Sequence, residues 1–207
     1  MSSYPSSYYA ASANRKTARP ALAESLEADV CVIGAGFTGL SSALHLAERG
    51  YSVVVLEASR IGFGASGRNG GQIVHSYSRD MDFIENHYGT ETANAMGSMA
   101  FEGGRIIRRI VQQYDIQCDL KDGGIFAACN KKQFRDLVDH KKLWQKHGND
   151  QLELLDENQL QDYIGTSRYT GGLLDKSGGH IHPLNLTLGE ADAIESLGGK
   201  VFEDSPV

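Results

Sequence analysis

The residues best suited to chemistry are three glycines, Gly34, Gly36 and Gly39, and a carboxylate, Glu57, that follows eighteen residues later. The first glycine permits a tight turn, the second lets backbone approach a pyrophosphate, and the third lets a helix sit close on a sheet. N–H groups at such a helix start are unpaired and carry partial positive charge, so phosphate oxygens bind there. Glu57 stands where an acid can accept hydrogen bonds from ribose hydroxyls. The pattern gains its weight from its setting. Val30, Val32 and Ile33 read as a short buried strand before it. Residues 38–49 read as a helix whose inner face is Leu40, Ala43, Leu44 and Ala47, ended by Gly50. Val53 to Leu56 then form a second buried strand ending on the acid. Together these elements would hold a dinucleotide; the alternative is a coincidental glycine turn.

NAD and FAD share this fingerprint, so the next residues must separate them. An NAD domain continues with strand–helix alternation directly after the second strand. Here Glu57 leads into Ala58, Ser59, Arg60 and a loop with five glycines between Gly62 and Gly71, among which stand Ser66, Arg68 and Asn69, with Gln72 just after. Such a loop has many N–H donors and few obstructing side chains, so it can wrap a second segment of ligand; otherwise it is a flexible surface loop.

These stretches, from the fingerprint through Glu57-Ala-Ser-Arg60 and Gly64-Ala-Ser-Gly-Arg-Asn-Gly-Gly-Gln72, resemble the FAD-dependent amine and amino-acid oxidases of the D-amino-acid oxidase group. The resemblance runs along nearly the whole chain. It implies FAD as cofactor, with Gly34, Gly36, Phe37, Thr38 and Gly39 at the pyrophosphate, and Glu57 holding the adenosine ribose beside Ala58. Arg60 would lie on the adenine side. Ser66, Gly67, Arg68, Asn69, Gly70, Gly71 and Gln72 would reach the flavin, and Val207 would touch adenine through its backbone. The activity implied is oxidation of a C–N bond in a small-molecule amine, with molecular oxygen as electron acceptor and hydrogen peroxide as product. An amino acid such as glycine, sarcosine or a D-amino acid is the alternative substrate, and a non-catalytic FAD-binding module the alternative class. The resembled proteins are considerably longer, so these residues are expected to be an N-terminal part, without turnover on their own.

Composition agrees with an ordinary soluble globular protein. The chain has 207 residues, 41% hydrophobic and 22% charged, enough for one sizeable core or one domain and part of another. A net charge of −6 argues against nucleic acid and anionic membrane as partners, and no apolar run approaches a membrane span. Arg15, Lys16 and Arg19 are the sole basic cluster. Cys31, Cys118 and Cys129 form no CxxC pair, which fits reduced thiols in the cytoplasm. Cys31, in the first strand, reads as a buried small hydrophobe.

The expected fold is α/β: a Rossmann-like FAD-binding domain with a parallel sheet, interrupted by part of an α+β antiparallel-sheet substrate domain. Residues 1–27 read as an arm that is either disordered or docked through Tyr4, Tyr8 and Tyr9. Residues 28–114 form the first part of the FAD domain, 115–180 the partial substrate domain, and 181–207 the second part. Within this, 82–114 reads as a helix with an apolar stripe through Phe101, Ile107, Ile110 and Val111, interrupted at Gly89 and at Gly103-Gly104. Residues 118–120 and 124–128 read as a hairpin around Lys-Asp-Gly, 132–147 as a helix with Trp144 inward, and 152–155 as a strand capped into a helix by Asp156. Residues 169–174 read as a strand that stops before Lys-Ser-Gly-Gly. Pro183 opens a last helix through Leu197, and 200–203 is the third parallel strand.

Other reactive residues are less persuasive. His180 and His182 have H-x-H spacing but no third ligand of matching character, so no metal site is expected and His182 reads as the turn into the last helix. His75 follows the glycine loop, where packing or a position near the flavin are both open. No residue is assigned as catalytic.

Overall fold

A computed structural model describes residues 2–207. In chain order its elements are α1 (Tyr8–Ala11), β1 (Val30–Ile33), α2 (Phe37–Ala47), β2 (Val53–Leu56), β3 (Gln72–Ile73), α3 (Met81–Gln113) and β4 (Lys121–Ala128). They continue with α4 (Lys131–Lys146), β5 (Leu152–Asp156), α5 (Glu157–Gln161), β6 (Gly171–His180), α6 (Pro183–Ser196) and β7 (Lys200–Phe202). The chain divides into two compact units. The first holds residues up to Gly71 with Arg109–Leu120 and Ile181–Val207; the second holds Gln72–Arg108 and Lys121–His180. The sequence-based boundary at 114–115 therefore differs, because most of α3 packs with the antiparallel strands rather than with the parallel ones.

In the first unit β1, β2 and β7 form a parallel sheet in the order β1-β2-β7, as the strand pattern predicts. Helix α2 buries Leu40, Ala43, Leu44 and Ala47, the face its spacing predicts. Leu197 caps α6, and Gly198 follows with φ 88°, the left-handed geometry that stops a helix. The buried reading of β1 needs correction: Cys31 is exposed and Ile33 is 68% exposed. A β-strand turns alternate side chains to opposite faces, and only the face of Val30 and Val32 lies toward α2.

The N-terminal arm is docked on this unit. The Asn14 N–H donates to Asn185 Oδ1, and the Leu22 N–H donates to Ser205 Oγ. Arg15 and Arg19, two members of the basic cluster, pair with Asp192 and Glu195 of α6. His182 is the N-cap of α6: its Nδ1 accepts from the Asn185 N–H, while Nε2 lies 3.1 Å from Ser12 Oγ. The Tyr9 ring packs edge-on against it at 4.9 Å, and burial depresses its pKa. Its role is structural, and among the described residues no His/Cys/Asp/Glu group could hold a metal.

The second unit is an antiparallel sheet with β6 at its centre, paired to β3, β4 and β5. Two expectations fail here. No hairpin forms at 118–128: β4 is one strand with a bulge between Asp122 and Gly124, and Gly123 at φ 85° supplies the irregularity that Lys-Asp-Gly was taken to signal. Strand β6 runs on through Lys-Ser-Gly-Gly: its ladder partners lie at residues 171–175 and 179–180, and between them the Lys176 N–H donates to Gln151 O and the Ser177 N–H to Asp175 Oδ1. Helix α3 breaks at Gly89, with φ 84°, but not at Gly103-Gly104. Gly104 is instead a close-packing position, where a Cβ would stand 2.8 Å from the His75 ring. Asn130 caps α4, and Asp156 with Gln159 forms a capping box on α5.

Candidate functional site

Strand β1 delivers the chain into Gly34 at φ 98°, and the Gly34 N–H donates to Leu56 O at 2.7 Å, tying the turn to the end of β2. One helical turn on, a Cβ at Gly39 would run into the Gly34 carbonyl oxygen and stand 3.3 Å from Val32. Only glycine allows α2 to lie this close. Gly36 is the N-cap of α2 and brings no side-chain cap, so the helix starts with its N–H groups open. One of them, the Phe37 N–H, donates to Ser66 Oγ at 3.0 Å, and a Cβ at Gly36 would stand 2.9 Å from that oxygen. The fold thus brings Ser66 to the start of α2, an approach that sequence spacing alone did not disclose.

Glu57 closes the other side of the glycine turn. Its Oε2 accepts from the Ala35 N–H at 2.8 Å and its Oε1 from the Ser59 N–H at 2.9 Å. Each carboxylate oxygen keeps lone-pair capacity for a hydroxyl donor. The segment after β7 runs alongside: the Asp204 N–H donates to Ser59 O and the Ser205 N–H to Glu57 O. Val207 lies two residues further and is 82% exposed.

The loop from Gly62 to Gly71 is pinned. The Gly62 N–H donates to Ala35 O, Ala65–Gly67 makes a 3₁₀ turn, and a Cβ at Gly67 would strike Gly62 O and crowd Leu184 of α6. Asn69 locks it internally, donating to Ala65 O and Ser66 O while its Oδ1 accepts from the Gly71 N–H. Arg68 is exposed, its Nε donating to Gly64 O and its guanidinium over the Phe63 ring. Thr38, Ala58 and Gly70 are exposed as well, while Gln72 is an exposed residue of the second unit.

Arg60, expected on the adenine side, is held inside the protein. It is 7% exposed, its Nε is 3.0 Å from Glu203 Oε1 in a pair poorly aligned for hydrogen bonding, and its guanidinium lies over the Tyr4 ring. Glu203, fully buried, also accepts from the Ile61 N–H and the Arg19 N–H. The Tyr4 hydroxyl donates to Ile61 O, and burial, reinforced by Glu203, pushes its pKa up to about 12. Sequence reading missed this network; its signal was an acid directly after an apolar strand, where a surface position was the default.

A parallel sheet with a glycine turn, an uncapped helix start and an acid at the end of the second strand defines a Rossmann-type dinucleotide-binding unit. Residues 29–207 match the family described as FAD dependent oxidoreductase (DAO), and the chain belongs to that family. It is 61% identical over all 207 residues to gamma-glutamylputrescine oxidoreductase of Escherichia coli strain K12, covering 49% of that protein. It is 44% identical to the probable oxidoreductase OrdL of Haemophilus influenzae, with 97% of this chain and 47% of that protein aligned. The chain thus spans about half the length of these relatives. Among solved structures, L-amino acid deaminase from Proteus myxofaciens shares the fold at TM-score 0.72 and 21% identity, with 93% of this chain and 41% of that one covered. Glycine oxidase from Bacillus cereus shares it at 0.66 and 21%, over 86% and 46%.

The residues fit FAD: a Cβ-free cradle and open N–H groups for a pyrophosphate, and a carboxylate with spare lone pairs for a ribose. Glu57→Ala is expected to weaken FAD binding by about 1–3 kcal/mol, the worth of a charge-assisted hydrogen bond. Titration of the variant with FAD, followed by flavin fluorescence, checks this; unchanged affinity removes Glu57 from the ribose.

Proposed function

We propose that this chain is the FAD-holding part of an amine oxidoreductase that converts gamma-glutamylputrescine to the corresponding aldehyde, releasing ammonia. The observation carrying this reading is the uncapped start of α2 held beside Glu57 in a chain 61% identical throughout to an enzyme of that name. FAD, when bound, supplies the acceptor for the hydride that leaves the carbon bearing the amine. The chain's own residues bind and orient. The Thr38 N–H of α2 and the Ser66 hydroxyl, whose oxygen the Phe37 N–H holds in place, offset the pyrophosphate charge, and Glu57 fixes the adenosine end. Gly34, Gly36 and Gly39 keep side chains out of that space. The Gly67 to Gly71 backbone extends the cradle.

The imine so formed hydrolyses in water to aldehyde and ammonia, and molecular oxygen is the terminal electron acceptor, reduced to hydrogen peroxide. Cytoplasmic action is part of the proposal, supported by three unpaired cysteines, with the Cys118 thiol pushed up to about 11 chiefly by burial. No described helix is long and apolar enough to cross a membrane.

The first test is the visible spectrum of the purified chain after incubation with FAD and desalting. Retained flavin bands support an autonomous cofactor unit; a colourless protein that is folded counts against it. The substrate reading is tested in a protein carrying these residues together with the further length seen in the relatives. Faster turnover of gamma-glutamylputrescine than of glycine, sarcosine or D-amino acids is expected, and the reverse order overturns it.

A further inference from the structure

The N-terminal arm is tied to the two chain segments that frame Glu57. Near its start, the Ser2 N–H and hydroxyl donate to the Asp204 carboxylate at 2.9 and 2.6 Å. Two residues on, the Tyr4 hydroxyl donates to Ile61 O at 2.8 Å, and the Arg60 guanidinium lies 4.8 Å from the centre of its ring. Further along, the Arg19 and Leu22 N–H groups donate to Glu203 Oε2 and Ser205 Oγ, while Pro20 O accepts from the Glu203 N–H. Residues 59–61 follow Glu57 in the chain, and the Ser205 N–H donates to the Glu57 carbonyl oxygen at 2.8 Å.

A continuous chain of hydrogen bonds runs from the arm to the acid. Ser2 holds the Asp204 carboxylate, the Asp204 N–H donates to Ser59 O, and the Ser59 N–H donates to Glu57 Oε1. Asp204 sits at φ 47°, left-handed backbone that is uncommon in residues other than glycine, and its tie to Ser2 helps to keep it there. Burial holds the Tyr4 pKa at about 12, so its hydroxyl remains a donor to Ile61 O throughout the neutral range. Position matters at this point because a hydrogen bond weakens steeply outside about 2.7–3.2 Å, so a ribose contact needs the carboxylate fixed. The family match spans residues 29–207, so the arm lies outside it, yet the arm is aligned in the relative of 61% identity.

We infer that the arm is a strap on the adenosine end of the cofactor site, with Tyr4 and Asp204 as positioning residues that hold the Glu57 carboxylate in register with the ribose. The inference deepens the FAD reading above and rests on Glu57 as the ribose acceptor. The test is calorimetric titration of the 207-residue chain with ADP, a probe that carries adenosine and pyrophosphate without the flavin. Tyr4→Phe keeps the ring over Arg60 and loses only the hydroxyl. Asp204→Gly keeps the left-handed backbone at no steric cost and loses the tie to Ser2. Each is expected to weaken ADP binding about threefold or more, the worth of one or two hydrogen bonds. Asn14→Ala, which unties the arm from Gln117 O instead, should leave ADP affinity unchanged. Combined with Glu57→Ala, neither Tyr4→Phe nor Asp204→Gly should cause a further loss, because residues acting through the carboxylate have nothing to hold once it is gone. Wild-type affinity in either single variant overturns the inference, and so does a loss that adds in full to that of Glu57→Ala. An equal loss in Asn14→Ala overturns it too, since general loosening of the arm would then account for the effect. If Glu57→Ala alone weakens ADP binding, the strap fails and the ribose reading stands. If Glu57→Ala binds ADP like the wild type, the ribose reading fails and the strap with it; a folded chain that binds no ADP overturns both.

Discussion

Glu190→Gln is expected to stabilise the protein at alkaline pH and to destabilise it by up to about 2 kcal/mol at pH 5. Glu190 lies on α6, is 4% exposed, and its Oε2 has no hydrogen-bond partner among the described residues. Burial alone raises its pKa from 4.5 to about 8. A carboxyl with a raised folded pKa is protonated in the folded state over a range where the unfolded chain has released the proton. Its contribution is fully present below pH 4.5 and is lost as pH rises towards 8. The loss is about 1.4 kcal/mol per pH unit, so the gap sets a ceiling of about 5 kcal/mol. A buried glutamine amide carries its own desolvation cost of about 1–3 kcal/mol, independent of pH, so the net gain at pH 9 is about 2–4 kcal/mol. Urea unfolding of both proteins at pH 5, 7 and 9 measures the difference. A constant difference across that range would show that Glu190 does not titrate with folding.

Glu203→Ala is the companion experiment on the nucleotide side, with the opposite sign. The Glu203 side chain is 1% exposed and faces an Arg60 side chain that is 8% exposed. Removing one partner of a buried ion pair costs about 3–5 kcal/mol, because the other charge is left without compensation. The Ile61 and Arg19 N–H groups lose their acceptor in the same step. Loss of at least about 4 kcal/mol is expected in urea unfolding. The double change Glu203→Leu with Arg60→Met should recover much of it, since apolar pairs of similar volume replace buried ion pairs at little cost. The effect should reach the cofactor site, because Arg60 and Ile61 stand three and four residues after Glu57 in the chain. FAD retention should fall together with stability in Glu203→Ala, whereas Glu57→Ala, which frees the Ala35 and Ser59 N–H groups, should lower affinity with a smaller loss of stability. A stability loss below about 1 kcal/mol would mean that Arg60 finds another partner or reaches water.

The division between legible and hidden features follows from the range of the interactions involved. Helix α2 and its inner face were legible because Leu40, Ala43, Leu44 and Ala47 repeat with the helical period. Gly34 and Gly39 were legible because their requirements are set by backbone geometry within a few residues. The cap at Asp156 and the helix start at Pro183 are equally local. The hairpin at 118–128 was misread because Lys-Asp-Gly carries a turn composition, and only the pairing of β4 with β6 shows that Gly123 makes a bulge instead. The stop placed before Lys-Ser-Gly-Gly failed for the same reason: strand pairing at residues 171–175 and 179–180, before and at the end of that stretch, carried β6 through it against local preference.

Read alone, the residues specified the dinucleotide fingerprint, the parallel order of strand, helix and strand, and membership of a flavin-dependent family. These depend on spacing and backbone freedom, which are properties of adjacent residues. Three matters waited for the folded chain: Ser66 at the start of α2, Arg60 turned inward onto Glu203 and Tyr4, and the Tyr4 hydroxyl on the Ile61 carbonyl. Each joins residues between 29 and 143 positions apart through burial and charge, as Phe37 to Ser66 and Glu203 to Arg60 show. No local pattern encodes which distant partner a buried polar group will meet; packing decides it.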